Sequence, residues 1–221
     1  MALTKYNYNS FDVTSAASSG LAFNSSANGF ETSSAGSMTL IKTLTASSSA
    51  TLSFVDGSSD VVLDNTYPVY MFKLINIHIA SDTQKLQFNF STDSGSNYNV
   101  TKTTTMFQAV HDEGDSAATL SYDTGDDLAQ GTGFQSISGT GLGSGNDESL
   151  SAEIFLFNPS STTFIKNYIL RAVQNSAINY AYDSYSAGYG NTTSAIDAVQ
   201  FKTTSGNIDS GTIKLYGIKD S

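Results

Sequence analysis

The stretch VYMFKLINIHI, from Val69 to Ile79, is the longest apolar run of the chain, and it decides the fold class. It combines β-branched and aromatic residues, whose side chains fit a pleated, half-buried surface. A run of this length and composition, bounded by turn-forming residues, predicts a central β-strand rather than a helix.

The sequence on both sides of this run alternates between apolar and polar residues with a period of two. Clear examples are Met38–Leu44, Lys85–Phe90 and Leu150–Phe157. Further strands are predicted at residues 51–54, 100–111, 119–122, 134–137, 163–173, 177–189, 198–203 and 211–218. Turns rich in Gly, Ser and Asn separate the strands at a spacing typical of sandwiches and jelly rolls. The sequence therefore predicts an all-β, jelly-roll-like antiparallel β-sandwich.

Two connections and the first 37 residues receive their own predictions. The stretch Asp93–Asn97 has a hairpin-turn sequence, in which Gly95 is available for a positive φ. One helical turn is predicted near Ser194–Asp197. Residues 1–37 sustain no period and are predicted to form an extended N-terminal arm, with one short alternating segment at Tyr6–Phe11. Residues 38–221 are predicted to form a single sandwich domain.

The charge balance argues against several classes of partner. The chain has 20 acidic and 10 basic residues, a net charge of −10, and Arg171 is its one arginine. Phosphate backbones and anionic membranes require clustered basic residues, so direct binding of nucleic acid or a membrane surface is not expected. No apolar stretch approaches the roughly 18 residues of a membrane span, and the first residues do not resemble a signal peptide. We therefore expect a protein that is made and assembled in a cytoplasm, or released with a particle.

The residues that could support catalysis do not form a convincing set. The chain has no cysteine and two histidines. His78 is expected to lie on the outer side of its strand, and His111 is adjacent to Asp112, which does not by itself create the geometry of a catalytic dyad. Glu153 is expected to face outward within its strand. The sequence therefore predicts a protein that is not an enzyme and needs no cofactor.

Calcium is a weak alternative to this absence of cofactors. Asp123, Asp126 and Asp127 supply hard oxygen ligands close together on a glycine-containing loop. Their spacing does not match an EF-hand, and an ordinary solvated acidic loop is the favoured interpretation.

Two groups of aromatic residues are candidate interface residues. They are Tyr6, Tyr8 and Phe11 in the arm and Tyr180, Tyr182, Tyr185 and Tyr189 near the C-terminal end. Tyrosine combines a large rigid surface with a polar tip, which suits protein interfaces and sugars. The alternatives are that the arm aromatics cap the sandwich of their own chain and that the tyrosine series packs half-buried within a sheet.

Five segments carry a resemblance to a known family. They are LIKTLTASSSATLSF (40–54), YMFKLINIH (70–78), NFSTDSGSNYN (89–99), FNPSSTTF (157–164) and SGNIDSGTIKLYG (205–217). Together they resemble a family of virion proteins encoded by tailed phages of aquatic, especially marine, bacteria. The resemblance extends over about residues 38–218, and the last segment is its most specific part.

The resemblance implies a protein of the virion surface with a jelly-roll-like fold, repeated as a homotrimer, and it brings no catalytic residues with it. One reading is a capsid decoration (cement) protein that binds the outer face of the major capsid shell and uses the arm as an anchor. The alternative is a tail-fibre, receptor-binding or carbohydrate-binding module that attaches to tail proteins and contacts host glycans.

Overall fold

The computed structural model describes residues 20–23, 30–33 and 37–219, and these residues form fourteen β-strands and no helix. The strands are β1 (Gly20–Phe23), β2 (Phe30–Ser33), β3 (Met38–Thr45), β4 (Thr51–Val55), β5 (Val69–Ile79), β6 (Leu86–Ser91), β7 (Lys102–Asp112), β8 (Ala118–Tyr122), β9 (Gln135–Ser136), β10 (Leu150–Phe157), β11 (Lys166–Asn175), β12 (Tyr180–Gly190), β13 (Ala198–Thr203) and β14 (Ile208–Ile218). The prediction of an all-β antiparallel sandwich is confirmed, and its jelly-roll-like character stays a prediction.

The strands form two large antiparallel sheets and one hairpin. The larger sheet has eight strands in the order β3-β14-β5-β10-β11-β12-β7-β8, and the smaller has four in the order β4-β13-β6-β9. The apolar run Val69–Ile79 is β5, an interior strand of the larger sheet between β14 and β10. Both of its edges are therefore hydrogen-bonded, as the prediction of a central strand required.

The two sheets enclose one core rich in aromatic side chains. Phe72 of the larger sheet lies with its ring centroid 5.4 Å from that of Phe54 and 5.6 Å from that of Phe201, both in the smaller sheet. Tyr168 and Phe88 meet edge-on across the same gap at 5.3 Å. All five rings are at most 1% exposed. Burying a side chain of this size contributes on the order of 2–3 kcal/mol, so these contacts hold the sheets together.

The interior also contains two lysines that face no carboxylate. Lys102 is fully buried, and its ammonium group donates to the Asn89 side-chain oxygen and to the Val100 carbonyl, the latter at 2.8 Å. Lys166 donates to the carbonyls of Phe164 and Thr192. Because burial penalises the charged form, the pKa of Lys102 falls to about 7, and that of Lys166 is also lowered.

The hairpin predicted at Asp93–Asn97 is wrong, although a turn forms there. Strand β6 belongs to the smaller sheet and β7 to the larger one, so the connection crosses between sheets. The Asp93 carboxylate accepts hydrogen bonds from the Ser91 hydroxyl at 2.7 Å and the Asn97 backbone at 2.9 Å, which closes the turn locally. Gly95 has the expected positive φ of 78°. Local turn chemistry does not reveal which sheet the next strand joins.

The helical turn predicted near Ser194–Asp197 is also wrong. The backbone N–H of Ile196 donates to the Pro159 carbonyl and that of Asp197 donates to the Ser91 carbonyl, at 2.9 and 3.0 Å. These long-range partners replace the local bonds that a helical turn would need.

Within residues 1–37, strands β1 and β2 pair with each other and with no strand of the sandwich. The prediction of an arm without a sustained period missed this hairpin, because each of its strands has only four residues. The short strand predicted at Tyr6–Phe11 lies outside the described residues.

Candidate functional site

The eight-stranded sheet has one face in the core and one face that the smaller sheet does not cover. We call the second the outer face and define it by three rows of side chains that run across the strands. The central row is Thr43, Lys214, Lys73, Glu153, Arg171, Tyr185, Phe107 and Tyr122. The apolar row is Leu40, Tyr216, Met71, Phe155, Ile169, Ala187 and Thr105. The third row is Ser151, Val173, Asp183, Ala109 and Leu120.

The middle of the central row contains two ion pairs, one of which reaches into the third row. The Lys73 ammonium lies 3.1 Å from the Glu153 carboxylate on the neighbouring strand. The Arg171 guanidinium holds Asp183 in a two-point pair, with Nε to Oδ1 at 3.0 Å and the second bond at 2.8 Å. This pair keeps the pKa of Asp183 below its usual value and raises that of Arg171. The charges of this surface are therefore matched side by side.

The aromatic end of the central row is a stack. The Arg171 guanidinium lies over the Tyr185 ring, 5.2 Å from its centroid. The opposite neighbour of Tyr185 is Phe107, whose ring is parallel to it within 3° at a centroid distance of 4.9 Å. Planar groups stacked in this way hold one another upright on the sheet. The central row is thus a ridge with fixed side chains.

Shallow grooves lie on both sides of this ridge. The first is about 340 Å³ and runs along the apolar row, with Phe155, Ile169 and Ala187 among its lining residues. The second is about 420 Å³ and includes Ser151, Val173 and Asp183 of the third row. The ridge of the outer face therefore has a groove on each side.

Large apolar side chains are concentrated on this surface. The outer side of the sheet carries eight of the eleven exposed large hydrophobic residues in the described part of the chain. They are Met38, Leu40, Phe107, Leu120, Tyr122, Phe157, Ile169 and Val173. Scattered apolar residues need no explanation, but a contiguous exposed patch marks an interaction surface.

The predicted tyrosine series is divided between the two faces. Tyr180 and Tyr182 point to the inner side of β12 and stack on each other at 6.3 Å, and Tyr182 is 9% exposed. Tyr185 and Tyr189 point outward, because each lies an odd number of residues from Tyr180 and Tyr182 along the strand. Half-buried packing thus describes the first pair, and the second pair lies on the uncovered side. The arm residues Tyr6, Tyr8 and Phe11 lie outside the described residues.

The acidic residues predicted as weak calcium ligands have separate partners. Asp126 pairs with the Lys85 ammonium, and Asp127 accepts a hydrogen bond from the Tyr122 hydroxyl at 2.7 Å. Asp123 accepts the Gly125 backbone N–H at 2.9 Å. Across residues 37–219, no three His, Cys, Asp or Glu side chains are grouped as a metal site would require.

His111 and Asp112, which are adjacent in the sequence, have separate partners in the structure. The carboxylate of Asp112 accepts the backbone N–H groups of Ser116 and Ala117, both at 2.8 Å, so it caps a turn. His111 lies on the other side of the strand, with its Nε2 3.3 Å from Asp115. Glu153 faces outward in its ion pair.

The ridge could not be predicted from the sequence. The alternation of β10, β11 and β12 does place Glu153, Arg171 and Tyr185 on one side of their strands. What it does not supply is the register that sets these three residues directly opposite one another.

Comparison with protein-family models, with curated proteins and with solved structures finds no match for this chain. No helix long and apolar enough to cross a membrane occurs in the part of the chain that the structure describes. The fold and the site therefore define the class of the molecule: in its described residues it is an antiparallel β-sandwich with one partly apolar sheet face that the smaller sheet does not cover.

Proposed function

We propose that this chain is a structural protein of a tailed-phage particle, a capsid decoration protein that binds the outside of the major capsid shell and stabilises it. The observation that carries the proposal is the outer face of the eight-stranded sheet. The inner face of the same sheet is covered by the smaller sheet, whereas the outer face exposes large apolar side chains beside paired charges. Such a surface fits a permanent protein partner.

The chemistry of the outer face suits binding rather than reaction. Its charged residues neutralise one another at Lys73–Glu153 and Arg171–Asp183. A catalytic site would instead hold a nucleophile, acid or base in reach of a substrate with its pKa tuned for the task. The proposal is accordingly a non-enzymatic protein.

The setting of the proposal comes from the sequence. The resemblance to virion proteins extends over the whole sandwich, and residues 1–37 offer a segment for anchoring to the shell. A rigid sandwich with a separate attachment segment is a suitable design for a protein that must add strength without changing shape.

The copy number in purified particles tests the proposal. Quantitative mass spectrometry of the virion should find this chain at a copy number comparable to that of the major capsid protein. Its removal by mild washing should lower the temperature at which the shell releases DNA. A copy number matching the few fibres of a tail, or absence from the particle, would contradict the proposal.

A second candidate function is a receptor-binding or carbohydrate-binding module of the tail, and the first groove favours it. The groove combines Phe107, Tyr185 and Arg171, an aromatic and cationic set that suits sugar rings and hydroxyl groups. Binding of the full chain to a glycan array, lost on Phe107→Ala and kept on Phe164→Ala, would favour this candidate.

A further inference from the structure

We propose that the outer face binds a second copy of this chain, so that two eight-stranded sheets stack face to face around a twofold axis. This inference rests on the proposed function: it takes the permanent partner of the outer face to be a neighbouring copy on the particle, and it leaves attachment to the shell to residues 1–37. Three properties of the outer face favour a second copy as its partner: its area, its charge and the positions of Glu153 and Arg171.

The area of the outer face is sufficient for a stable dimer. Eight strands at about 4.8 Å spacing span roughly 38 Å, and three rows at two-residue intervals extend roughly 20 Å along the strands. The product, roughly 750 Å² on each copy, is close to the ~800 Å² that each partner contributes to a standard interface. Two sheets stacked in this way would form a second sandwich layer at the usual separation of about 10 Å.

The charge of the outer face makes it more suitable for self-association than the rest of the surface. Its three rows contain the basic residues Lys73, Arg171 and Lys214 and the acidic residues Glu153 and Asp183, which gives a net charge of +1. The whole chain carries −10, so all of the excess negative charge lies elsewhere. Two outer faces therefore meet with little net repulsion, whereas the remaining surface is on average negative.

The central row is complementary to itself when it is reversed. In the strand order, β10 and β11 occupy the middle of the sheet, and they carry Glu153 and Arg171 at opposed positions. A twofold axis parallel to the strands between β10 and β11 sets Glu153 of each copy opposite the partner's Arg171. The same rotation sets Phe155 of the apolar row opposite the partner's Ile169. One operation therefore pairs unlike charges and apolar side chains together.

The first test is the sedimentation of the full chain over a range of concentrations. The wild type should form a dimer. Ile169→Asp should raise the dissociation constant of this dimer by at least about tenfold, as expected for a charge buried at the centre of an interface. Ile178→Asp is the matched control, because Ile178 is exposed to a similar degree, 59% against 49%, but lies in the turn between β11 and β12. Thermal melts establish that each variant is folded.

The second test exchanges charges across the twofold axis. Glu153→Arg alone places two positive residues opposite each other in its dimer, and Arg171→Glu alone places two negative residues opposite each other. Each variant should be monomeric by itself, and an equimolar mixture of the two should restore a dimer. This rescue requires that residues 153 and 171 of different copies meet.

Three outcomes would overturn the inference. They are a wild-type chain that stays monomeric at all concentrations, a trimer, and a dimer that Ile169→Asp or the charge exchange leaves unchanged. A monomer that is nonetheless present in particles at a high copy number would leave the proposed function standing and assign the outer face to the capsid. A dimer that is absent from particles would leave this inference standing and contradict the proposed function.

Discussion

The two faces of the eight-stranded sheet are made by the same strands and have opposite characters. On the inner face, Phe72 and Tyr168 are at most 1% exposed and touch aromatic rings of the smaller sheet. On the outer face, Phe107 is 42% exposed and stacks on a tyrosine that is held by an arginine. The first face gives the monomer its stability, while the second contributes little to it. Side chains that are ordered but not needed for folding are available for a partner.

The largest expected difference between the faces is in the cost of removing an aromatic ring. Phe72→Ala should lower the free energy of unfolding by about 3–5 kcal/mol, because it leaves a cavity among Phe54 and Phe201. Phe107→Ala should lower it by less than about 1 kcal/mol. Urea denaturation of monomeric protein measures both values. Equal losses would show that the outer ring is also part of the stabilising core.

The buried Lys102 should make the stability of the fold depend on pH. The exposed Lys73 of the outer face serves as the control. The pKa of Lys102 is about 7 in the folded chain against 10.5 for an ordinary lysine, so the unfolded chain binds more protons between these values. The free energy of unfolding should therefore rise by about 2 kcal/mol between pH 7 and pH 9. Below pH 7, the full cost of burying the charged lysine should apply. Lys102→Met should abolish this rise and Lys73→Met should retain it. A rise that survives in Lys102→Met would contradict the assignment.

The glycine-rich stretch beside the inner face should be intolerant of added atoms. A Cβ on Gly141 would lie 2.6 Å from the Thr83 carbonyl oxygen, and neighbouring Leu142 is fully buried. Gly141→Ala should cost about 1–3 kcal/mol in the free energy of unfolding, because backbone must move to admit the methyl group. Gly133→Ala has open space at its Cβ and serves as the control. Thermal denaturation gives the melting temperature of each variant. Equal melting temperatures would contradict the close packing at Gly141.

The smallest expected effect belongs to the ion pair of the ridge. Arg171→Met should change the stability of the monomer by less than about 1 kcal/mol, because the pair is largely exposed to solvent. It should nevertheless raise the pKa of Asp183 towards its ordinary value, since the guanidinium is the main cause of the lowering. An NMR titration of the carboxyl group follows this change directly. An unaltered pKa would mean that the pair does not form in solution.

The contrast between the faces also explains how far the sequence could predict this molecule. The bounds of Val69–Ile79, Leu150–Phe157 and Ala198–Thr203 agree with β5, β10 and β13, because alternation and turn residues are local signals. The Asp93–Asn97 turn was assigned to a hairpin because its local chemistry is the same in a crossing between sheets. Tyr180 and Tyr182 share a face because they are two residues apart in β12.

The site was less accessible to sequence reasoning, for a related reason. Glu153, Arg171 and Tyr185 are separated by 14 to 18 residues along the chain and become neighbours through the register of three strands. Register depends on turn geometry and on the whole core, so no local pattern encodes it. The same holds for Asp126, whose partner Lys85 lies 41 residues away along the chain, immediately before β6.

The central claim is that the outer face of the eight-stranded sheet becomes covered when the protein assembles. Hydroxyl-radical footprinting of the dilute chain and of the intact particle tests it most directly, with oxidation read at Ile169 and Val173 of the outer face and at Ile178 of the β11–β12 turn. We expect oxidation at Ile169 and Val173 to fall by at least about fivefold in the particle relative to Ile178, as burial at an interface requires. Equal oxidation of all three residues in the particle and in the dilute chain would contradict the claim.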